Sequence, residues 1–252
     1  MLAYGILIML FLRSVLFLLF QAVTVVPYAL GCVLVLPLPF IWRYRYTAGW
    51  PRMVIWAAKV LVGIRYEVKG EHYIPDAPAI YLSKHQSTYE TMFFAWFLRR
   101  PACFVYKKEL NYIPFFGWGL ASLRNIAINR QKGKNAMQQV MEIGTQRLAE
   151  GRSPVLFPEG TRIPPGQTGS YKLGGTRLAV HADTQIIPVA HNAGECWPKK
   201  PFTKKPGLVT ISFGPPIQPA GRTPDEVMAE VRDWIEGEMR VLNPERYHDH
   251  AV

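Results

Sequence analysis

His85 and Glu90 bracket the segment His85-Gln86-Ser87-Thr88-Tyr89-Glu90, with four residues between them. The segment follows a strand-like run at 79–83 and opens a helical pattern through Met92, Phe93, Trp96 and Phe97. A strand end that feeds a helix start is a common place for catalytic groups in α/β folds. The helix N-terminus favours a carboxylate and disfavours an imidazolium. His85 is therefore expected to be neutral at rest, as a general base must be. Glu90 would hold one ring nitrogen and stabilise the imidazolium as it forms. The other nitrogen would face a substrate hydroxyl. This is the logic of the serine-protease triad, with a substrate alcohol in place of the serine. The same spacing has a plainer reading. Ser87-x-x-Glu90 is a capping box, and Glu90 would then only close a helix end.

A second group is Phe157-Pro158-Glu159-Gly160-Thr161-Arg162, after an apolar run at 154–157. Gly160 lets the backbone approach a ligand closely. Arg162 offers a planar fork to a phosphate or carboxylate. The plain alternative is a strand-end turn with a solvated arginine. Asn125-Ile126-Ala127-Ile128-Asn129-Arg130 is a further strand that ends in arginine. Ile186-Ile187-Pro188-Val189-Ala190 reads as a buried strand that ends near His191, itself read as a satisfied structural histidine. Lys107 and Lys108 follow the third strand and would add positive charge to one cleft, or form a solvated pair.

These groups need a scaffold. Strand patterns fall at 65–68, 79–83, 102–106, 126–129, 154–157, 185–190 and 208–213. A helix is expected over 135–150, with Met137, Val140, Met141, Gly144 and Leu148 on one face. Another starts at Thr223, with Pro224 as its first residue and Glu226 completing a capping box. Its apolar stripe is Val227, Val231, Trp234 and Ile235. Alternation of this kind predicts an α/β fold, a central mostly parallel or mixed sheet flanked by helices. The length of 252 residues suits one such domain plus a short extra segment.

The extra segment is at the front. Arg13 is the one charged residue before position 43, and Ser14 to Trp42 is an uncharged run of 29 residues. A bilayer core of about 30 Å needs only about 20 helical residues. The run spans a membrane, or folds back as a two-helix hairpin near Pro27 or near Pro37 and Pro39. Its start lacks the basic region of a signal peptide, and its length exceeds one. The boundary falls near 43–55, which predicts an anchor at 1–55 and an α/β domain at 56–252. The net charge is +11, and +10 of it lies beyond the anchor's apolar run. That favours anionic partners, lipid headgroups or phosphorylated substrates. Nucleic acid is not expected, for want of a zinc spacing, a ribonucleoprotein motif or a basic block. Arg43, Arg45 and Arg52 follow the run and place the main body on the cytoplasmic side of the inner membrane. Cys32, Cys103 and Cys196 are scattered and read as small buried hydrophobes in a reducing compartment.

Taken together, the groups resemble the glycerolipid acyltransferase family, and within it the 1-acylglycerol-3-phosphate acyltransferases. That family has four blocks in a fixed order. His85 to Glu90 matches the first, and Asn125 to Arg130 resembles the second. Phe157 to Arg162 closely matches the third, and Ile186 to Val189 resembles the fourth. Lys107-Lys108-Glu109-Leu110 and Ile113 to Trp118 also look like family segments. The resemblance covers roughly residues 60–215. Two departures stand out. The first block usually ends in aspartate, whereas Glu90 carries its carboxylate on a stem one methylene longer. The second block usually begins with glycine, where Ala121 or Ser122 stands here.

The resemblance implies a reaction. His85 and Glu90 would be catalytic, taking the proton from the sn-2 hydroxyl of lysophosphatidic acid. Acyl-CoA or acyl-carrier protein would donate the acyl group, and phosphatidic acid would result. Arg162, Arg130 and Lys107 would bind the acceptor phosphate, and Glu159, Gly160 and Thr161 the rest of the substrate, with orientation of the basic cluster as the other role open to Glu159. Backbone N–H groups near Glu90 or Gly160 are the expected oxyanion donors. No metal and no resident cofactor is expected, and no His-Glu-x-x-His spacing exists. The implied fold is an α/β domain with a helical hairpin embedded in one leaflet. Two rivals keep the same charge and anchor. One is a related acyltransferase acting on another lysolipid, such as a lyso-aminolipid. The other is a non-catalytic basic lipid-binding protein, which would not need His85 and Glu90.

Overall fold

The computed structural model describes residues 2–113, 116–128, 134–200 and 202–247. Arg130 lies outside them.

Two helices open the chain, α1 (Leu2–Leu34) and α2 (Phe40–Ala57). Pro27 sits inside α1 without ending it. The break comes at Pro37 and Pro39, where ring sterics push the preceding residues out of helical geometry. The two helices pair as a hairpin. The Tyr28 and Tyr46 rings meet at a tilt with centroids 5.2 Å apart, and Trp50 Nε1 donates to Thr24 Oγ1 at 3.1 Å. The N-terminal half of α1 lies against the rest of the protein. Phe17 meets Trp197 edge-on at 5.0 Å, and Lys204 N–H donates to Ser14 Oγ at 2.9 Å. The opposite face stays bare. Leu7, Leu12, Leu16, Leu19, Val23 and Leu30 are exposed. Residues Tyr4–Leu34 are long and apolar enough to cross a membrane. An apolar face of this extent calls for lipid, so the hairpin is membrane-associated.

α2 belongs to both worlds. Its outer residues Ile41, Trp42 and Trp56 are exposed, while Tyr44, Val54, Ile55 and Ala57 join the core of the α/β domain. The compositional change at 43–55 thus falls inside a helix whose inner face is core. Tyr44 Oη donates to Ala95 O at 2.6 Å and accepts Ala102 N–H at 2.7 Å. Arg43, Arg45 and Arg52 lie over the rings of Phe40, Trp42 and Trp96. Arg43 is buried, so it is not the solvated charge that its sequence position suggests.

Among the described residues seven strands form one sheet: β1 (Ile64–Lys69), β2 (Ile80–Ser83), β3 (Ala102–Lys107), β4 (Ile126–Ile128), β5 (Ser153–Leu156), β6 (Ile186–His191) and β7 (Gly207–Phe213). Their order is β1-β7-β6-β2-β5-β3-β4. Strands β2 to β6 run parallel, and β7 is antiparallel to β6 and parallel to β1. The sheet is mixed, as expected. β2, β5 and β6 are buried throughout. Central parallel strands are covered on both faces, which explains their unbroken apolar runs. The hairpin and α3 (Tyr89–Phe97) cover one face. The other carries α5 (Lys134–Ala149), α6 (Gly174–Ala182) and α8 (Pro224–Leu242). The short α4 (Phe116–Ser122) packs on α1, and α7 (Ala193–Cys196) beside β7. The Thr223–Glu226 capping box starts α8 as its sequence predicts. The three cysteines are free and buried.

Candidate active site

β2 and β5 are parallel neighbours, so both release their chains at the same sheet edge. The loop after β2 carries His85, and Phe157 follows β5. Their rings stack with centroids 3.9 Å apart and an interplanar angle of 19°. The histidine backbone is fixed from both sides. His85 N–H donates to Glu159 Oε2 at 2.9 Å, and Ile163 N–H donates to His85 O at 2.8 Å.

The His85–Glu90 pair is formed. Nδ1 lies 2.8 Å from Glu90 Oε1, so the longer glutamate stem still reaches the ring. With Glu90 ionised, Nδ1–H donates and Nε2 is left as an acceptor. Nε2 has no hydrogen bond among the described residues, and 16% of the side chain is exposed. Glu90 is fully buried. Its Oε1 also accepts Gln86 N–H at 3.1 Å and Ser87 N–H at 2.9 Å. Glu90 therefore holds the imidazole and closes the turn before α3 at once. The capping box itself does not close. Thr88 is the N-cap without a side-chain bond, and Ser87 Oγ accepts Tyr89 N–H instead. Burial works to protonate Glu90, but the His191 and His85 imidazoles and the Ser87 N–H outweigh it and hold the carboxyl below its ordinary range. His191 is buried and its own pKa is lowered by that burial. It donates from Nε2 to Lys84 O at 2.8 Å and accepts Ala193 N–H at Nδ1, a satisfied structural histidine.

The Glu159 side chain has no exposed surface, and its carboxylate meets Lys84 Nζ at 2.7 Å and the His85 N–H. The reason is strand pairing: with β5 beside β2, the first carboxylate after β5 meets the loop after β2. Lys84 itself is fully buried, between Glu159 and Glu236. Burial opposes its charge, but the two carboxylates outweigh that and hold its pKa above the ordinary lysine value.

Gly160 adopts φ 67°, and a Cβ there would lie 3.0 Å from Lys172 Nζ. The glycine thus makes room for a lysine. Thr161 is exposed and accepts from Lys199 Nζ at 3.3 Å. Arg162 is half-buried and has no hydrogen bond or ion pair among the described residues. It precedes Ile163, whose N–H holds the histidine backbone. Lys107 is exposed at the same sheet edge, on the second strand over from β2. Three of the backbone donors near Glu90 and Gly160 are engaged within the protein. Gln86 and Ser87 N–H serve Glu90, and Gly160 N–H donates to Phe157 O at 3.0 Å.

Sequence reasoning passed over Lys84, Glu236, Lys172 and Lys199. The signal for Glu236 was present, an acid flanking an apolar stripe of α8; Glu236 is only 7% exposed. Lys172 and Lys199 lie outside the motif stretches and reach the loop only through folding.

An apolar cavity of about 120 Å³ lies between the hairpin and α3. Val25, Ala29, Trp50, Met92, Phe104 and Leu120 help to line it. It sits behind the helix that carries Glu90 and suits a hydrocarbon chain.

His85 pairs with no serine or cysteine of the chain among the described residues. A histidine backed by a buried carboxylate, with Nε2 open, is an arrangement that can take the proton of a hydroxyl. The chain belongs to the Acyltransferase family, whose model matches residues 65–192. It is 44% identical over 211 residues to a 1-acyl-sn-glycerol-3-phosphate acyltransferase of Pseudomonas aeruginosa, covering 82% of each chain. It is 29% identical to an enzyme of the same name from Limnanthes alba, over 84% of this chain and 74% of that one. The fold matches the crystal structure of a 1-acyl-sn-glycerophosphate acyltransferase from Thermotoga maritima, with a TM-score of 0.79 and 23% identity, over 92% of this chain and 95% of the other.

Proposed function

We propose that this chain acylates the sn-2 hydroxyl of 1-acyl-glycerol-3-phosphate, with a fatty acyl thioester of CoA or acyl-carrier protein as donor, and so makes phosphatidic acid. The relatives' names support the acceptor. The observation that carries the chemistry is the 2.8 Å His85–Glu90 contact with Nε2 left open. In this reading Nε2 takes the hydroxyl proton, and the alkoxide attacks the thioester carbonyl. The tetrahedral intermediate collapses, the carbon–sulfur bond breaks, and the imidazolium returns its proton to the departing thiolate. Glu90 steadies the imidazolium. Arg162 holds the acceptor phosphate, with Lys107 and Arg130 as further contributors and Lys172 and Lys199 adding positive charge around Gly160 and Thr161. Positioning of this kind supplies much of the rate. The cavity behind α3 takes an acyl chain. Arg45 and Arg52, exposed where the hairpin joins the domain, favour the cytoplasmic face.

The test is thiol release by the purified protein with a panel of lysolipids. Lysophosphatidic acid should be the preferred acceptor; preference for a lysolipid without a phosphate monoester overturns it. His85→Ala should lose about 10²–10⁴-fold in turnover while membrane association and melting stay near wild type. Activity above a tenth of wild type in that variant removes His85 as the base.

A further inference from the structure

We propose that Glu236 and Tyr247, from the C-terminal helix and the segment after it, are positioning residues that aim His85. The inference rests on the reading of His85 as the base. Both residues lie beyond the stretch that the family model matches.

Lys84 is 0% exposed and Gln86 1% exposed. Both side chains end on the same C-terminal segment. Lys84 Nζ reaches Glu236 Oε1 at 2.8 Å, and Gln86 Nε2 donates to Tyr247 Oη at 2.9 Å. Lys84 also lies over the Tyr247 ring, 5.9 Å from its centroid. Each anchor is itself held. Glu236 accepts from Thr168 Oγ1 at 2.8 Å and Tyr171 Oη at 2.7 Å. Those two residues belong to the loop that carries Arg162. Gln86 Oε1 accepts Gly194 N–H at 3.3 Å. Lys84 Nζ donates as well to Gln167 O at 3.1 Å.

The peptides before and after His85 are thus pinned by side chains from one distant segment, which also grips the Arg162 loop. Stability alone is a poor account of the ionic part. Burying charges carries a desolvation penalty, and apolar replacements of buried ion pairs are often as stable. What such a cluster does well is fix one geometry. A base must hold its nitrogen on the substrate hydroxyl within fractions of an ångström, and a displacement of about 1 Å costs about a hundredfold.

The experiment compares purified full-length wild type, Tyr247→Phe, Glu236→Gln and His85→Ala, with acyl-CoA and lysophosphatidic acid. The readouts are the thermal midpoint and, at temperatures well below each variant's midpoint, kcat and both KM values. Tyr247→Phe is nearly isosteric and keeps the fold testable. We expect kcat to fall on the order of ten- to a hundredfold in Glu236→Gln, and severalfold in Tyr247→Phe, with both KM values within about twofold. The loss should persist at the lowest assay temperature, where every variant is folded. Two results overturn the proposal: kcat within about twofold of wild type in both single variants, or kcat losses that vanish well below the thermal midpoints. An active His85→Ala overturns the base reading together with the proposal, and so separates the two failures.

Discussion

Glu90 combines three donors on one oxygen, and its behaviour with pH follows from that. His85 Nδ1 and the N–H groups of Gln86 and Ser87 all converge on Oε1. Because the folded pKa lies below the ordinary 4.5, folding favours the ionised form. The stability that Glu90 contributes is complete above that ordinary value and is lost as pH falls through the lowered one. Glu90→Gln should therefore melt below wild type near neutral pH. The gap should hold from neutral pH down to the ordinary value of 4.5 and close below it, as pH falls through the lowered one; denaturant midpoints would show this. The same variant should lower turnover less than His85→Ala does, since the amide still accepts the backbone donors. Arg162 tests the substrate. Its guanidinium is half-buried without a protein partner among the described residues, and a phosphate monoester offers two oxygens to its fork. Arg162→Lys keeps the charge and loses the fork. Transfer to lysophosphatidic acid should drop about 10- to 150-fold in kcat/KM, while slow thioester hydrolysis by water stays close to wild type. If both rates fall together, Arg162 serves the thioester or the fold.

At the scale of elements, α1 and α3 share a cavity. Ala29 is 4% exposed and sits on the wall that α1 contributes. Ala29→Leu would fill part of about 120 Å³. Overpacking of this kind costs about 1–3 kcal/mol, so the melting temperature should fall modestly. If the cavity holds an acyl chain, long donors should suffer more than short ones. A chain-length series of thioesters measures that, and a uniform loss across the series would place the chain elsewhere. The strands teach a related point. Apolar runs marked β2, β5 and β6, because buried parallel strands need apolar side chains on both faces. The α8 capping box was equally legible, since its two bonds join residues three apart. The box read at Ser87 forms only by half: Glu90 Oε1 accepts Ser87 N–H, but Ser87 Oγ accepts Tyr89 N–H and does not close the box.

For the molecule as a whole, the hairpin is anchor and core together. Phe17 is 0% exposed against Trp197, and Tyr44 bonds α3 to β3. Deletion of residues 1–34 should therefore do more than release the protein from membranes. It uncovers Trp197 and the cavity wall, and the truncated protein should melt earlier and bind a hydrophobic dye. An unchanged melting temperature would show that the α/β domain stands alone. The sequence by itself determined the features that depend on near neighbours or on residue type. These are the apolar run, the strands and long helices, the His85–Glu90 spacing, and Arg162 beside a glycine. Tertiary structure alone decided the rest. It turned Glu159 inward to Lys84, brought Glu236 to Lys84 and Tyr247 to Gln86, and buried Arg43. Such outcomes depend on strand order and on contacts between residues as far apart as 84 and 236. Local propensity and spacing carry no information about those contacts, because the energies that choose them act through space.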